Sequence, residues 1–323
     1  MKERIYSIDG FRIIAAFLVV SLHVSLPFSI PVMTPVARIA VPFFYMVSGY
    51  FYSPSKTRSS IILLLKYLVV AMVAYFFIEW FLYRDLSFVS EELAKFDHRF
   101  WVFNVIPFCP VGWYIASYIY MLIFCIFVKN QKVLYMIGVL SLILALITGP
   151  YNFLTNIEFD PSIWNCNAFC TICWFILGRY LKEHRINFFA SLSNNTILIV
   201  SIVLIIMQAV EHFLIKKVNG SCSGTIYLTT PFAMIALFEY LLCNKNALKI
   251  LNLGKCALWV FLSHVGIHYL LVSIFYPEKF QLGYEPLIEL SINNQYYINN
   301  ITCFILSLII YMTYKKCKTM LSK

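Results

Sequence analysis

Apolar stretches of about 20 residues recur along the whole chain, and this repetition restricts the folds open to it. A stretch of about that length is what an α-helix needs to cross the hydrocarbon core of a bilayer. The composition agrees, with 61% hydrophobic and only 12% charged residues, since soluble domains are about half apolar and a quarter charged. No polar block is long enough for a separate soluble domain. The sequence therefore predicts a single all-α, polytopic membrane domain over residues 1–323.

About ten transmembrane helices fit this pattern, with breaks marked by proline. Pro31 and Pro35 separate the first two helices, Pro150 closes the fifth and Pro277 closes the ninth. The first apolar run contains Arg12 and has no small-residue cleavage site after it, so it is predicted to be a retained helix. The predicted spans are 11–30, 36–53, 61–83, 113–128, 133–149, 165–182, 196–215, 225–243, 256–276 and 298–314.

Basic residues set the predicted orientation, because the cytoplasmic ends of membrane helices collect Lys and Arg. With the N-terminus inside, sixteen of the 25 basic residues are cytoplasmic, seven are external and two lie within helices. Lys216 and Lys217 alone argue the other way. Both termini of this multi-pass protein of the cytoplasmic membrane are therefore predicted to be cytoplasmic. The same topology, and not a nucleic-acid partner, explains the net charge of +10. The cytoplasmic sixteen are Lys2, Arg4, Lys56, Arg58, Lys129, Lys132, Arg179, Lys182, Arg185, Lys245, Lys249, Lys255, Lys315, Lys316, Lys318 and Lys323.

Two ionisable residues of the first span share one helical face. Arg12 and His23 are eleven positions apart, which is about 20° past three full turns and about 16 Å along the axis. Arg12 would lie near the cytoplasmic surface and His23 near mid-membrane. The cation suits an anionic carrier, and the imidazole can take a proton from a hydroxyl. The alternative is a histidine hydrogen-bonded between helices and an arginine reaching the lipid head groups.

Other titratable groups within the spans are candidate site residues, since charges inside a membrane are costly. Arg38 lies at the external start of the second span, where it can hold an anion or sugar hydroxyls. Ser48 permits close helix approach in the same span. Glu211, near the external end of the seventh span, suits substrate hydroxyls or amines. Glu79 and Glu239 lie near span ends, where they can reach water.

Metal-ligating residues are present without a complete ligand set. His264 and His268 are one helical turn apart in the ninth span, but no clear third ligand accompanies them. Cys166, Cys170 and Cys173 have the spacing of a metal cluster and lack a matching second pair. The scattered cysteines are interpreted as small apolar packing residues. We therefore expect neither a metal site nor a bound cofactor.

Two expectations concern where a site would lie. Arg12, His23 and His264 are expected to line one shared cavity, because facing any of them toward lipid would be costly. The longest external connection, roughly 84–112, is rich in aromatic and charged residues. Such a connection either covers a site or is a plain surface loop.

The first 50 residues carry the motifs of a known family. Arg12, ten intervening residues and then His23, within the run Ile8-Asp-Gly-Phe-Arg-Ile-Ile-Ala-Ala16, resembles the hallmark of the acyltransferase family 3 membrane proteins. The run Arg38-Ile-Ala-Val-Pro-Phe-Phe, followed by Ser48-Gly-Tyr50, resembles that family's second helix. These segments are the most specific part of a resemblance that covers the whole chain.

Two later motifs extend this resemblance. Gly112-Trp113-Tyr114 is similar to the tryptophan motif at the fourth span, and the run 258–264, which ends in His264, is similar to a late histidine motif. Two positions depart from the pattern. Val111 and Gly112 stand where a histidine often precedes the tryptophan motif, and Ser263 precedes the late histidine.

The resemblance implies an O-acyltransferase. Such an enzyme would move an acyl group, most simply acetyl, from cytosolic acyl-CoA to a hydroxyl of an extracytoplasmic acceptor such as a cell-surface glycan. Acyl-CoA would be a substrate and not a resident cofactor. The resemblance also implies that His23 is the general base and that Arg12 helps to bind the CoA portion of the donor. The candidate substrate- or carrier-binding residues are Arg12, Arg38, Ser48, Trp113, Tyr114, Glu211 and His264.

A second function remains open within the same family. Asn167-Ala-Phe, Gly178, Glu211 and the stretch 227–242 resemble the membrane half of the serine racemases of vancomycin resistance. That likeness implies an L-serine transport domain, with a soluble domain downstream or a homo-oligomer as partner. A transporter should show helices broken at mid-membrane, whereas a transferase needs a cytosolic groove beside Arg12. A membrane scaffold is the third interpretation.

Overall fold

The fold is entirely helical wherever the structure describes it. A computed structural model of the protein describes residues 4–24, 31–84, 86–155, 167–184, 188–189, 191–219, 226–251, 253–275 and 299–321. These ranges contain no strand, which confirms the all-α prediction. Their helices are α1 (Tyr6–His23), α2 (Met33–Ala37), α3 (Ala40–Tyr50), α4 (Thr57–Tyr83), α5 (Ser87–Leu93), α6 (His98–Phe103), α7 (Trp113–Phe127), α8 (Gln131–Thr148), α9 (Ala168–His184), α10 (Asn194–Asn219), α11 (Thr230–Cys243), α12 (Ala257–Phe275) and α13 (Asn300–Leu321).

Five described segments are long and apolar enough to cross a membrane. Two further helices, α7 and α11, are apolar but shorter. Each of the ten predicted spans overlaps at least one of the described helices. The predicted connection 84–112 contains two short helices, α5 and α6, which its mixed composition did not reveal. The five segments are Tyr6–His23, Pro54–Tyr83, Gln131–Thr148, Asn194–Asn219 and Lys249–Phe275.

The second predicted span, 36–53, is divided between two helices. α2 ends at Ala37 and α3 begins at Ala40, with a turn between them at Arg38 and Ile39. Pro42 has no N–H, so it cannot donate the usual helical hydrogen bond to the carbonyl of Arg38, four residues earlier. At 11 residues, α3 is about 16 Å long, roughly half the thickness of the hydrocarbon core.

α1 and α12 form the centre of the molecule. Nine of the 18 residues of α1 and ten of the 19 residues of α12 are buried, against seven of 27 in α4 and five of 26 in α10. α1 packs on α3, α12 and α13. Most outward-facing side chains of α4 and α10 are apolar, such as Val70 and Ile206, which are 66% and 56% exposed. These outer faces suit contact with lipid chains, and the ionisable side chains of α1 and α12 lie inside.

α3 and α9 approach each other most closely. A Cβ added at Gly178 of α9 would lie 2.0 Å from the carbonyl oxygen of Met46, and one at Gly49 of α3 would lie 1.9 Å from that of Phe175. Small residues let helix backbones come this near in a membrane protein. The contact fixes α3, and with it Ser48, against the helices around α1.

We expect Gly178→Ala to destabilise the protein by about 3 kcal/mol or more, since overpacking against a backbone carbonyl has no side-chain route of relief. The gain in helix propensity from Gly to Ala, about 1 kcal/mol, does not offset this cost. The matched control is Gly138→Ala, whose Cβ would meet the Ile176 side chain at 2.9 Å. The Ile176 side chain can shift, so Gly138→Ala should lose less stability than Gly178→Ala. Thermal unfolding of both variants in one detergent measures the difference, and equal losses would contradict the close contact.

Candidate functional site

Two histidines from the two central helices face each other. His23 is the last residue of α1 and His264 lies in the middle of α12. Their ring centroids are 5.2 Å apart. His264 is fully buried, and its Nδ1 lies 3.1 Å from the carbonyl oxygen of Val260. Because a carbonyl only accepts, Nδ1 carries the proton and Nε2 is an acceptor. Within the described part of the chain Nε2 has no hydrogen-bond partner.

A pocket of about 240 Å³ lies at the other end of α1. Arg12 is its one charged lining residue among those described, and Ser48, Tyr114 and Tyr118 supply hydroxyl groups. The remaining walls come from apolar residues of α3, α4 and α12 and from the short segment before α12. They are Phe44, Val47, Leu64, Gly254, Ala257, Leu258 and Phe261.

Asp9 holds the cation of this pocket in place. Its Oδ1 accepts a hydrogen bond from Nη1 of Arg12 at 2.9 Å, and its Oδ2 accepts one from Nε of Arg4 at 2.7 Å. The Arg12 side chain remains 32% exposed. Two guanidinium groups on one carboxylate leave a net positive charge at the pocket. A charge-assisted contact of this kind also limits the directions in which Arg12 can point.

The hydroxyl groups of the pocket are clustered around Ser48. Its Oγ donates to the carbonyl of Phe44 at 2.8 Å and lies close to the phenols of Tyr114 and Tyr118. Tyr118 was not a predicted site residue. The signal was available, because positions four apart on a helix share a face and Tyr114 was already a candidate. Trp113, which begins α7, packs edge-on to the Tyr114 ring at 6.3 Å and does not line this pocket.

Aromatic rings connect the pocket to the histidine pair. The Phe261 ring lies 4.9 Å from that of Tyr114 and 6.1 Å from that of His264. The described lining of the pocket contains Arg12 but neither histidine. The single cavity expected from the sequence is therefore, in this structure, a pocket at Arg12 and a histidine pair beyond Phe261.

Arg38 lies in the turn between α2 and α3 and does not line the pocket at Arg12. Its guanidinium is close enough to His23 to interact with it electrostatically, and it acts in the same way on His212 of α10. His212 is in turn 2.8 Å from the hydroxyl of Tyr227. Arg12 thus belongs to the pocket, and Arg38 to the surroundings of His23.

The carboxylate of Glu211 is engaged by hydrogen bonds from backbone N–H groups and hydroxyl groups. Its Oε1 accepts hydrogen bonds from the backbone N–H of Leu228 at 2.6 Å and from the hydroxyl of Tyr151. Its Oε2 accepts from the N–H of Thr229 at 3.0 Å and from its hydroxyl at 2.6 Å. The carboxylate therefore stabilises the start of α11, where N–H groups lack helical partners. Glu211 does not line the Arg12 pocket.

Two other acids lie deeper than the sequence indicated. Glu239 was expected to reach water, but it is 2% exposed and accepts hydrogen bonds from the N–H groups of Phe188 and Phe189 at 2.8 and 3.1 Å. Glu79 is 3% exposed. Its Oε2 has no hydrogen-bond partner among the described residues. The expectation that both reach water is wrong because loop backbone and neighbouring helices cover the span ends.

The cysteines of the described residues are free thiols. Burial raises the pKa of Cys109, in the segment before α7, to about 12, so this thiol is a poor nucleophile at neutral pH. Cys170 and Cys173 are buried in α9, and Cys166 lies outside the described residues. In the described ranges no three or more His, Cys, Asp or Glu side chains are arranged to hold a metal ion.

These observations define a class of protein. Several membrane-length apolar helices surround a core in which histidine and arginine side chains are buried or half-buried. That arrangement is a multi-pass membrane protein with an internal polar site. Residues 5–314 match the acyltransferase domain family, acyltransferase family 3. The chain belongs to this family, which confirms the resemblance seen in the sequence.

One curated relative extends the comparison. The chain is similar to an amino-acid racemase from Enterococcus faecalis, with 26% identity over 82% of this chain. The match covers 41% of the racemase, so the chain spans less than half the length of this relative. This agrees with the likeness to racemase membrane halves. No solved structure matches the chain significantly.

Proposed function

We propose that the protein is a membrane O-acyltransferase that moves an acyl group, most simply acetyl, from cytosolic acyl-CoA to a hydroxyl of an extracytoplasmic acceptor such as a cell-surface glycan. The observation that carries this proposal is the position of the His23 and His264 pair beyond a pocket whose one described charged lining residue is Arg12. A cation at one end of α1 and imidazoles at the other match an anionic carrier and a hydroxyl acceptor.

The proposed topology has ten spans with both termini in the cytoplasm. The distribution of basic residues supports it, because cytoplasmic loops collect Lys and Arg. In this orientation Arg12 faces the cytoplasm, where acyl-CoA is made, and α5 and α6 lie on the external side of the cytoplasmic membrane.

Labelling with a membrane-impermeant maleimide tests this topology. We expect Glu91→Cys and Lys217→Cys to react in intact cells, above the background of the native cysteines. Lys129→Cys, between α7 and α8, should react only after permeabilisation. Labelling of Lys129→Cys in intact cells would place this residue outside the cell and contradict the proposed orientation. Lys217 is the most informative probe, because Lys216 and Lys217 are the basic residues that argue against the predicted distribution of Lys and Arg between the two sides of the membrane.

In the proposed reaction His23 handles the proton. It accepts the proton of the acceptor hydroxyl while the hydroxyl oxygen forms a bond to the thioester carbonyl carbon. The tetrahedral intermediate then collapses, the carbon–sulfur bond breaks, and the departing thiolate takes the proton from His23. The products are an ester and free CoA, and His23 returns to its neutral form. His264 assists by accepting a hydrogen bond at Nε2 from protonated His23.

The pocket at Arg12 is the proposed donor site. Arg12 would contact a phosphate of CoA, as a guanidinium suits that group. The apolar walls would surround the pantetheine arm, which would bring the thioester along the roughly 16 Å from Arg12 to His23. The hydroxyls of Ser48, Tyr114 and Tyr118 are available to the amide groups of that arm. Arg38, at the external end, would contact acceptor hydroxyls.

An amino-acid transport domain is the second candidate, and the similarity to an amino-acid racemase favours it. The break between α2 and α3 also fits, since transporters bind substrate at interrupted helices. In this case the substrate would be L-serine and a soluble racemase domain would be the partner.

Ligand-dependent thermal stability separates the two candidates. A ligand at 100 times its Kd stabilises the folded state by about 2.7 kcal/mol. We expect acetyl-CoA to raise the melting temperature of the purified protein in a saturable manner, and L-serine at the same concentration to leave it unchanged. Stabilisation by L-serine alone would favour transport. CoA without an acyl group is the control for carrier binding.

A further inference from the structure

The side chain of Phe261 separates the pocket at Arg12 from the histidine pair. Along α12, Phe261 is the last of the described residues that line the pocket, and it is only 2% exposed. Its ring centroid lies 4.9 Å from that of Tyr114 and 6.1 Å from that of His264. Because Phe261 and His264 are three positions apart, they are neighbours on one face of the helix. The ring therefore touches both parts of the site.

The packing of α12 against α1 fixes the level of this ring. Just before α12, a Cβ added at Gly254 would lie 2.6 Å from the carbonyl oxygen of Asp9, so the two backbones are in close contact there. Farther along, the ring of His264 lies 5.2 Å from that of His23. Phe261 comes seven residues after the first contact and three before the second. It therefore lies between the two levels and nearer to the histidines.

The α1 side chains at this level are small. Ala16 and Val19 come four and seven positions after Arg12, on the same face of α1, and both are buried. Val19 belongs to the same apolar cluster as Phe261. α12 thus contributes the bulk at this level, through the phenyl ring. Packed interiors leave few voids larger than a water molecule, so the size of this ring limits what else can lie beside the histidines.

The acyl group of a bound donor would lie at this ring. The CoA portion would occupy the pocket, and the thioester carbonyl would lie beside His23, where the acceptor hydroxyl loses its proton. The acyl chain then begins close to Phe261. An acetyl group has a single methyl beyond the carbonyl, whereas each further methylene needs space that the ring fills. Forcing extra methylenes into a filled interior is unfavourable.

We propose that Phe261 sets the size of the acyl group and restricts the donor to a short acyl chain such as acetyl. This inference rests on the acyl-transfer reaction proposed above and assigns its acyl specificity to one side chain. Replacing a buried phenylalanine by alanine leaves a cavity on the order of 100 Å³, and dry apolar cavities of this order bind small apolar groups. The two further methylenes of a butyryl group would fit into it.

The affinities of the purified protein for CoA, acetyl-CoA and butyryl-CoA test this assignment by titration calorimetry in one detergent. Wild type should bind butyryl-CoA more weakly than acetyl-CoA. In Phe261→Ala the affinity for butyryl-CoA relative to acetyl-CoA should rise by about tenfold or more, since burial of each methylene is worth about fourfold. The affinity for CoA itself should stay near that of wild type.

Leu258→Ala is the matched control. Leu258 lines the same pocket one turn earlier on α12, on the side away from His264. Its removal enlarges the pocket where the CoA portion would lie and should leave the ratio of the two acyl-CoA affinities unchanged. Phe261→Leu, which keeps an apolar side chain without the ring, should change the ratio in the same direction by a smaller factor. It gives a second reading if Phe261→Ala does not fold.

Three results would overturn the inference. Equal affinities of wild type for acetyl-CoA and butyryl-CoA, or a wild-type ratio in Phe261→Ala and Phe261→Leu, would show that the ring does not set acyl size, while the donor site would stand. An equal change in Leu258→Ala would assign the effect to general widening of the pocket. Failure of wild type to bind CoA in any form would remove the donor site, and with it both the proposed function and this inference.

Discussion

His23→Ala should lower acyl transfer by about a hundred- to ten-thousand-fold, the usual loss when a general base is removed. Binding of acyl-CoA should change little, because the imidazole acts on the acceptor's proton and lies beyond Phe261 from the pocket at Arg12. The fold should persist, since His23 is the last residue of α1 and is only partly buried. The measurement is the rate of CoA release with purified protein in liposomes, together with the affinity for acetyl-CoA.

Two companion variants sharpen this result. His98→Gln, on helix α6, replaces a histidine whose side chain is 72% exposed and should leave transfer unchanged. His264→Ala should lower transfer as well, and the His23→Ala, His264→Ala double variant should be hardly slower than the worse single variant, as expected of groups that act together. Independent, multiplying losses would contradict the proposed pair. A His23→Ala rate within a few-fold of wild type would remove the general base altogether.

Arg12→Ala should show the opposite pattern. Loss of the guanidinium removes a contact with an anionic group of the carrier, so affinity for acetyl-CoA should fall by about tenfold or more, a typical value for a charge-assisted contact. The rate at saturating donor should change less than it does for His23→Ala, because the contact exists in the ground state as well as in the transition state. Arg12→Lys should recover part of the affinity, as it keeps the charge but not the planar fork of donors.

Arg4→Ala is the matched control for Arg12→Ala. Both arginines donate to Asp9, but only Arg12 lines the pocket. If disturbance of the Asp9 carboxylate were responsible for the loss, the two variants would be equally impaired. The proposal expects Arg4→Ala to bind acetyl-CoA nearly as well as wild type. Equal weakening of both variants would contradict a direct contact between Arg12 and the carrier.

The sequence predicted the parts of this molecule that depend on local pattern. Apolar runs of membrane length predicted spans that each overlap a helix, because in hydrocarbon the backbone N–H and C=O groups must hydrogen-bond to one another. The shared face of Arg12 and His23 followed from helical periodicity, and α1 is continuous from Tyr6 to His23. The break at Arg38 was less visible, since a single proline, Pro42, can either kink a helix or end it.

Nonlocal contacts were predicted only in outline. The cost of facing lipid placed His23 and His264 in one expected cavity, but no pattern within α12 shows that their rings lie face to face, because packing between helices sets that contact. Glu211 shows a second kind of nonlocal contact. An acid in a span is costly and was interpreted as a substrate ligand, whereas its oxygens accept hydrogen bonds from the start of α11. Both cases require knowledge of which helix ends and faces are neighbours.

Transfer of labelled acetyl groups by the purified protein tests the central claim most directly. Protein is reconstituted in liposomes with acetyl-labelled acetyl-CoA on the side of Arg12 and a glycan with free hydroxyls on the other side. The proposal predicts that labelled ester appears on the glycan, that free CoA appears in equal amount, and that His23→Ala abolishes both. Absence of CoA binding and of turnover in the wild type, with accumulation of L-serine in the same liposomes, would contradict the transferase and establish transport in its place.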